Sequence, residues 1–295
     1  MYDSILVPTD GSEHAERAAR HGLALAERFD AAVHVLGVAD VDAAAGPFNA
    51  GGVDSAFVER LEAECESAIS AVRELAGPEV PIETAVVNGD PGEEVLGYVD
   101  EAEIDLVAMG TKGRRGLRRF VTGSVTEHVV RGANVPVVTV RTTDADPVTD
   151  YEGMLVTTDG SDAADAAVDH AVAVADAFDA TLHALSVVNI EALAAGPTAA
   201  PPTDLFEQLR ERGEEATGEI ADRAAESDVE AVTAVYEGFP GPAILDYADE
   251  EGMDLIAMGT HGRTGIDRIV LGSTTERTIR RSPVPVMSVH PDDES

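Results

Sequence analysis

Gly110-Thr111-Lys112-Gly113 and, after nine intervening residues (114 to 122), Gly123-Ser124 form the stretch of this chain best suited to chemistry. Glycines let backbone N–H groups approach a ligand closely, and a helix N-terminus offers N–H groups with no partner in the helix. The pattern therefore suits an anion, above all a phosphate. Lys112 is the only lysine in a chain whose formal net charge is −36, and Arg114, Arg115, Arg118 and Arg119 gather in the segment that follows. Guanidinium groups beside a helix N-terminus match the oxygens of a polyphosphate.

The elements that must position this stretch can be read on either side of it. Asp105-Leu106-Val107-Ala108 is a short apolar run behind an acidic residue and predicts a buried strand. Val125, Val129 and Val130 have helical spacing and predict a helix after Gly123. A plainer reading stands beside the anion site. Ser124-Val125-Thr126-Glu127 has the spacing of a capping box, in which Ser bonds the third N–H of the helix and Glu reaches back. That reading accounts for Ser124 and Glu127 but leaves Gly110, Gly113 and Lys112 unexplained.

The whole stretch occurs twice. Met258-Gly259-Thr260-His261-Gly262 leads to Gly272-Ser273-Thr274-Thr275-Glu276, an offset of 149 residues. The same offset carries Thr9-Asp10-Gly11-Ser12 onto Thr158-Asp159-Gly160-Ser161 and Val135-Pro136-Val137 onto Val284-Pro285-Val286. A period this long is a duplicated domain. The division predicts domains at 1–142 and 152–291, a polar, acidic linker at 143–151, and an acidic tail at 292–295.

Within each copy, strands alternate with helices. In the first, strands are predicted at Ser4 to Pro8, Val33 to Val38, Ile82 to Val87, the run before Gly110, and Val137 to Val140. Helices follow Ser12, span about Ala56 to Leu75, and include Val95 to Asp100 after Pro91. Five near-continuous apolar strands separated by helices argue for a parallel α/β sheet covered on both faces. Ligands of such sheets bind beyond the carboxyl ends of the strands where strand order reverses. Asp10 and Gly110 both lie at such ends, so they share a site if the first and fourth strands are neighbours.

Composition narrows the function. Hydrophobic residues make up 44% of the 295, enough for folded cores, and aromatic residues only 4%, with no Trp. Carboxylates spread over the whole chain, with almost all basic residues being Arg, indicate adaptation to a high-salt cytoplasm and hence a halophilic source. The same charge argues against a DNA partner, which needs a basic face. Cys65 is the only cysteine, which excludes a disulfide framework and a Cys-based metal site. No apolar run reaches membrane-spanning length and no apolar signal follows Met1, so a cytoplasmic protein without membrane contact is expected.

Other constellations fail. There is neither a Gly-x-Gly-x-x-Gly after a strand nor a P-loop. The eight histidines show no metal-ligand spacing, and His14 and His21 are read as helix-surface or packing residues. Asp10 before Gly11 has the character of a turn residue. Beside a nucleotide it would bond ribose hydroxyls or hold a metal that bridges phosphates. Binding is preferred to catalysis, because no second carboxylate or His is assigned to activate a water.

Gly-x2-Gly-x9-Gly-Ser after a strand ending in Met-Gly, with Pro-Thr-Asp closing the first strand, resembles the nucleotide-binding branch of the universal stress protein family. The resemblance covers nearly the whole chain, once per repeat. It implies two Rossmann-like, five-stranded parallel sandwiches of the adenine nucleotide alpha hydrolase-like kind. It also implies an intramolecular pseudo-dimer of the two halves through Val137 to Val140 and Val286 to Val289, with further homo-oligomerisation left open. The implied ligand is ATP or a related adenine nucleotide, with or without Mg²⁺, one per repeat.

By position, the resemblance sets the backbone of Val38 against adenine, Pro8, Thr9 and Asp10 along the nucleoside, and Met109 at the ribose. Gly110, Lys112, Gly113, Arg114, Gly123, Ser124, Val125 and Thr126 would hold the phosphates. The second repeat supplies Thr157, Thr158, Asp159, Val187, Met258, Gly259, Gly262, Arg263, Gly272, Ser273, Thr274 and Thr275. There Thr157 replaces Pro8, Thr274 replaces Val125 and His261 replaces Lys112, which puts affinity and nucleotide choice at the second site in question. The implied role is nucleotide-dependent stress response or signalling. A slow ATPase or autophosphorylating enzyme and a scaffold without nucleotide remain the alternatives.

Overall fold

Among the described residues of the computed structural model, runs of Val, Ile, Leu and Ala bounded by turn residues form ten strands, and the segments with helical spacing between them form helices. The structure describes residues 1–41, 44, 55–113, 123–142, 149–189, 203–261 and 271–291. The chain divides into two units, Met1–Thr149 and Asp150–Ser295. Tyr151, assigned to the linker from sequence, is a core residue of the second unit. It is 1% exposed and stacks on Phe178 with ring centroids 4.6 Å apart.

The first unit runs β1 (Ser4–Pro8), α1 (Glu13–Phe29), β2 (Ala32–Ala39), α2 (Ser55–Leu75), β3 (Ile82–Asn88), α3 (Pro91–Glu101), β4 (Leu106–Gly110), α4 (Ser124–Gly132) and β5 (Val137–Val140). Its strands lie in the order β3-β2-β1-β4-β5, and the described pairings are parallel. The second unit runs β6 (Gly153–Thr158), α5 (Asp162–Phe178), β7 (Thr181–Asn189), α6 (Thr203–Glu226), β8 (Ala231–Gly238), α7 (Pro240–Glu250), β9 (Leu255–Gly259), α8 (Ser273–Arg281) and β10 (Val286–Val289). Its order, β8-β7-β6-β9-β10, is the same topology. The α/β architecture predicted from the alternation is therefore present in each half. No described helix is long and apolar enough to cross a membrane.

The central pair β1 and β4 is pinned at its amino end by a carboxylate. Asp105 Oδ2 accepts the N–H groups of Asp3 (2.8 Å) and Ser4 (2.9 Å), and Asp254 Oδ2 accepts those of Glu152 (2.8 Å) and Gly153 (3.0 Å). This is why an acidic residue stands directly before each of these apolar runs. Helix α1 follows from its sequence: Ser12 caps it by accepting from Ala15 N–H, and Asp30 ends it in the left-handed region at φ 55°. Its apolar face, Ala15, Ala18, Ala19, Leu23 and Ala26, is buried against the sheet. A second tie is also duplicated, His34 Nδ1 to the Tyr98 hydroxyl at 3.1 Å and His183 Nδ1 to the Tyr247 hydroxyl at 2.8 Å.

Candidate functional site

Strand order reverses between β1 and β4, which pair in parallel with Ile5 opposite Leu106 and Leu6 opposite Val107. The carboxyl ends of these two strands, at that reversal, are where α/β sheets bind ligands. On the β1 side the turn is set by local hydrogen bonds. Gly11 N–H donates to Thr9 Oγ1 at 3.2 Å, and Ser12 N–H donates to Asp10 Oδ1 at 3.0 Å, while Gly11 takes φ 70°. The turn character read for Asp10 is thus present, and its carboxylate is exposed at the crevice.

On the β4 side, Gly110 and Gly113 both have packing reasons to be glycine. A Cβ on Gly110 would lie 2.7 Å from the carbonyl carbon of His14, and one on Gly113 would lie 2.6 Å from Asp10 Oδ2. The sequence reading left both unexplained without a ligand. Gly113 brings its backbone against Asp10, so the two loops do converge. Lys112 is half-buried, and Met109 is buried at 4% exposure.

The start of α4 departs from the capping box. The N-cap is Gly123, at φ −69° and ψ 147°, and no side chain caps it; Ser124 is already the first helical residue. Gly123 N–H donates to the Thr111 carbonyl at 2.7 Å, and the first intrahelical bond is Glu127 N–H to Gly123 C=O at 3.0 Å. The Glu127 carboxylate instead pairs with Arg131 at 2.7 Å, one turn on. The N–H groups of Ser124, Val125 and Thr126 therefore precede the hydrogen-bonded ladder with no side-chain cap, at the carboxyl end of β4. Helices α1, α3 and α5, by contrast, are capped by Ser12, Asp90 and Ser161. The Thr126 hydroxyl is committed elsewhere, donating to the Gly110 carbonyl at 2.8 Å, so only its backbone faces outward chemistry.

Val38 is placed by the ladder. Ala32 N–H donates to Asp3 and Thr9 N–H donates to Leu36 C=O, so even-numbered residues of β2 turn their backbone groups toward β1. Beyond Leu36, β1 has ended. Val38 consequently presents one N–H and one C=O past the end of β1, an edge of the kind a planar heterocycle can pair with.

The universal stress protein family matches residues 1–141 and again 150–290. The chain belongs to that family. A universal stress protein of Methanocaldococcus jannaschii is 37% identical over 139 residues, 47% of this chain and 82% of its own length. One of Bacillus subtilis is 31% identical over 147 residues, 47% of this chain and 99% of its own. Among solved structures, a universal stress protein of Archaeoglobus fulgidus aligns over 99% of this chain and 97% of that one, with a TM-score of 0.73 at 23% identity. That likeness speaks to the fold.

The second universal stress protein unit rebuilds the crevice at the offset of 149. Gly160 N–H donates to Thr158 Oγ1 at 2.9 Å and Ser161 N–H to Asp159 Oδ1 at 3.1 Å. A Cβ on Gly259 would lie 2.1 Å from the Ala163 carbonyl oxygen. Gly272 is the uncapped N-cap of α8, Ser273 and Thr274 follow it, and the Thr275 hydroxyl donates to the Gly259 carbonyl at 2.8 Å. Thr157 and Met258 are buried, and Val187 stands just past Ser186, the last β7 residue paired with β6. Arg114, Gly262 and Arg263, with Arg115, Arg118, Arg119 and Arg268, lie outside the described residues.

Several residues at the crevice escaped the sequence reading. His14, taken for a helix-surface or packing residue, sits over Gly110. Burial first, then Lys112 and Arg141, lower its pKa, against the opposing pull of Glu13 and Asp10. Arg141 follows β5 at the same end of the sheet. Thr111 is 2% exposed, and its Oγ1 has no hydrogen-bond partner among the described residues. In the second unit Thr260 Oγ1 lies 2.9 Å from His261 Nδ1 and 3.1 Å from His290 Nδ1. The signal was available, since the repeat offset superposes His261 on Lys112 and His290 on Arg141. No group of three or more metal-ligating side chains occurs among the described residues.

Proposed function

We propose that each half is an adenine-nucleotide-binding module, ATP being the first ligand to test, and that occupancy rather than turnover serves the stress response. The observation that carries this reading is the uncapped N-terminus of α4 at the strand-order switch. Its three leading N–H groups and the positive end of the helix dipole suit phosphate oxygens. Lys112, next to Gly113 in sequence, adds a cation, and the backbone edge of Val38 supplies a donor and an acceptor for adenine. The buried Thr111 hydroxyl is a further polar atom awaiting a partner at the same place. If Mg²⁺ accompanies the phosphates, the exposed Asp10 carboxylate is the group next to them.

Calorimetry on the full chain with Mg·ATP in molar KCl, followed by product analysis, tests the proposal. Saturable heat with retained ATP and no ADP is the expected result. Absence of heat, with the sites verified free of copurified nucleotide, would make the protein a scaffold. Steady ADP formation lost in Asp10→Ala would make it an enzyme.

A further inference from the structure

The two crevices differ in a coordinated way. Where the first unit has His14, Lys112 and Arg141, the second has Ala163, His261 and His290 at the same repeat positions. Lysine and arginine stay cationic across the physiological range, whereas histidine titrates within it. The two rings meet: their centroids are 5.7 Å apart, and both Nδ1 atoms reach the Thr260 hydroxyl, which is itself fully buried. His261 Nε2 is buried and has no hydrogen-bond partner among the described residues.

From this geometry we infer that His261 and His290 make the second site a proton-linked phosphate site, binding nucleotide polyphosphate more tightly as pH falls and with a steeper dependence than the first site, which has one histidine, His14, at its crevice. The inference rests on the nucleotide reading above. With both rings neutral, the single Thr260 proton is donated to one Nδ1 and the other Nδ1–H donates to Thr260 Oγ1. When both rings are protonated, each Nδ1–H donates to a lone pair of Oγ1, and the Thr260 proton turns to another acceptor. Two cations at this separation repel, so the second proton is taken up readily only when an anion joins them. The phosphates of a bound nucleotide supply that anion.

The ionisable groups on the neighbouring ends of the elements that meet here include Asp159, after β6, Asp162 and Asp165, in the first turn of α5, with Asp165 paired to Arg223, and Glu276 in the first turn of α8, which lies 3.8 Å from Arg280; Arg277 and Arg281 follow on α8. Arg263, Asp267, Arg268, Asp292 and Asp293 lie outside the described residues. Above the range in which histidine titrates, the second crevice keeps Asp159 and Asp162 but has neither lysine nor arginine at the positions of Lys112 and Arg141. A polyphosphate then meets the same helix N-terminus in a less favourable field.

Calorimetric titration of the full chain with ATP at pH 8, 7 and 6, in buffers of differing ionisation enthalpy and constant high KCl, tests this. The second site should tighten more steeply than the first as pH falls, by roughly tenfold for each unit by which the phosphates raise a histidine pKa, with the larger proton uptake on binding. Adenosine, which lacks phosphates, should show no such dependence. In the double variant His261→Lys with His290→Arg the excess pH dependence of the second site should disappear, leaving it no steeper than the first. A second-site pH dependence no steeper than the first site's, or an excess dependence that survives in the double variant, would overturn the inference alone. No ATP binding at either site at any pH would overturn the nucleotide reading and this inference with it.

Discussion

The α-carbon of Gly110 faces the main chain of His14 so closely that a methyl group there would stand 2.7 Å from its carbonyl carbon. The end of β4 and the first turn of α1 are therefore pressed backbone to backbone, and neither side has a flexible chain to move aside. Gly110→Ala should destabilise the first unit by about 1–3 kcal/mol, the usual cost of overpacking. Gly259→Ala, whose methyl would meet the Ala163 carbonyl oxygen at 2.1 Å, should cost more. Urea unfolding of the two variants checks the order. Loss of ligand binding in either one would report the fold before it reported the site.

A cleaner probe of the site is Ser124→Pro. Proline is tolerated at the first helical position and removes one N–H there. It requires an extended residue before it, and Gly123 already has φ −69° and ψ 147°. Stability should change by less than about 1 kcal/mol, whereas ATP affinity at the first site should fall at least tenfold, the scale of a hydrogen bond to a charged acceptor. Unchanged affinity measured by calorimetry would remove the α4 N-terminus from the binding surface.

His21 sets a pH dependence of stability. Burial, and then the nearby Arg17, hold its pKa down at about 4 against an ordinary 6.5. The unfolded chain takes up this proton below 6.5 and the folded chain does not until about 4, so stability is lost as pH falls through that window. The contribution is at most about 3–4 kcal/mol. His14 and His183, also lowered chiefly by burial, act with the same sign. Unfolding free energies of His21→Gln and the unaltered protein, compared at pH 7, 6 and 5, should show a shallower slope for the variant.

A chain of formal net charge −36 should also depend on salt. The screening length is about 10 Å at 0.1 M and about 3 Å at 1 M. Moving from molar to 0.1 M KCl exposes the carboxylates to one another and should lower the thermal midpoint by several degrees. A midpoint that rises on dilution would contradict this account.

How much could be read from the sequence depended on how local the cause was. The strands and helices followed from apolar runs and caps whose determinants lie within a few residues. The Ser-x-x-Glu pattern misled because its spacing does not say which residue takes the cap. Gly123, held to the Thr111 carbonyl, takes it one position early, so Thr126 rather than Glu127 becomes the third helical residue. The reasons for Gly110 and Gly113 lie far back along the chain, at His14 and Asp10, and no window of sequence contains both partners. The meeting of His261 with His290 is of the same kind, two residues brought together only because β9 and β10 are neighbours.

The duplication at an offset of 149 preserves the braces that build each crevice, such as Asp105 and Asp254 or Thr126 and Thr275, while changing the charges that face into it. A protein assembled from two identical chains cannot do this, since any change in one crevice appears in both. Here translation itself fixes the ratio. Every molecule carries one crevice of each character, and no regulation of subunit expression or exchange can alter the mixture.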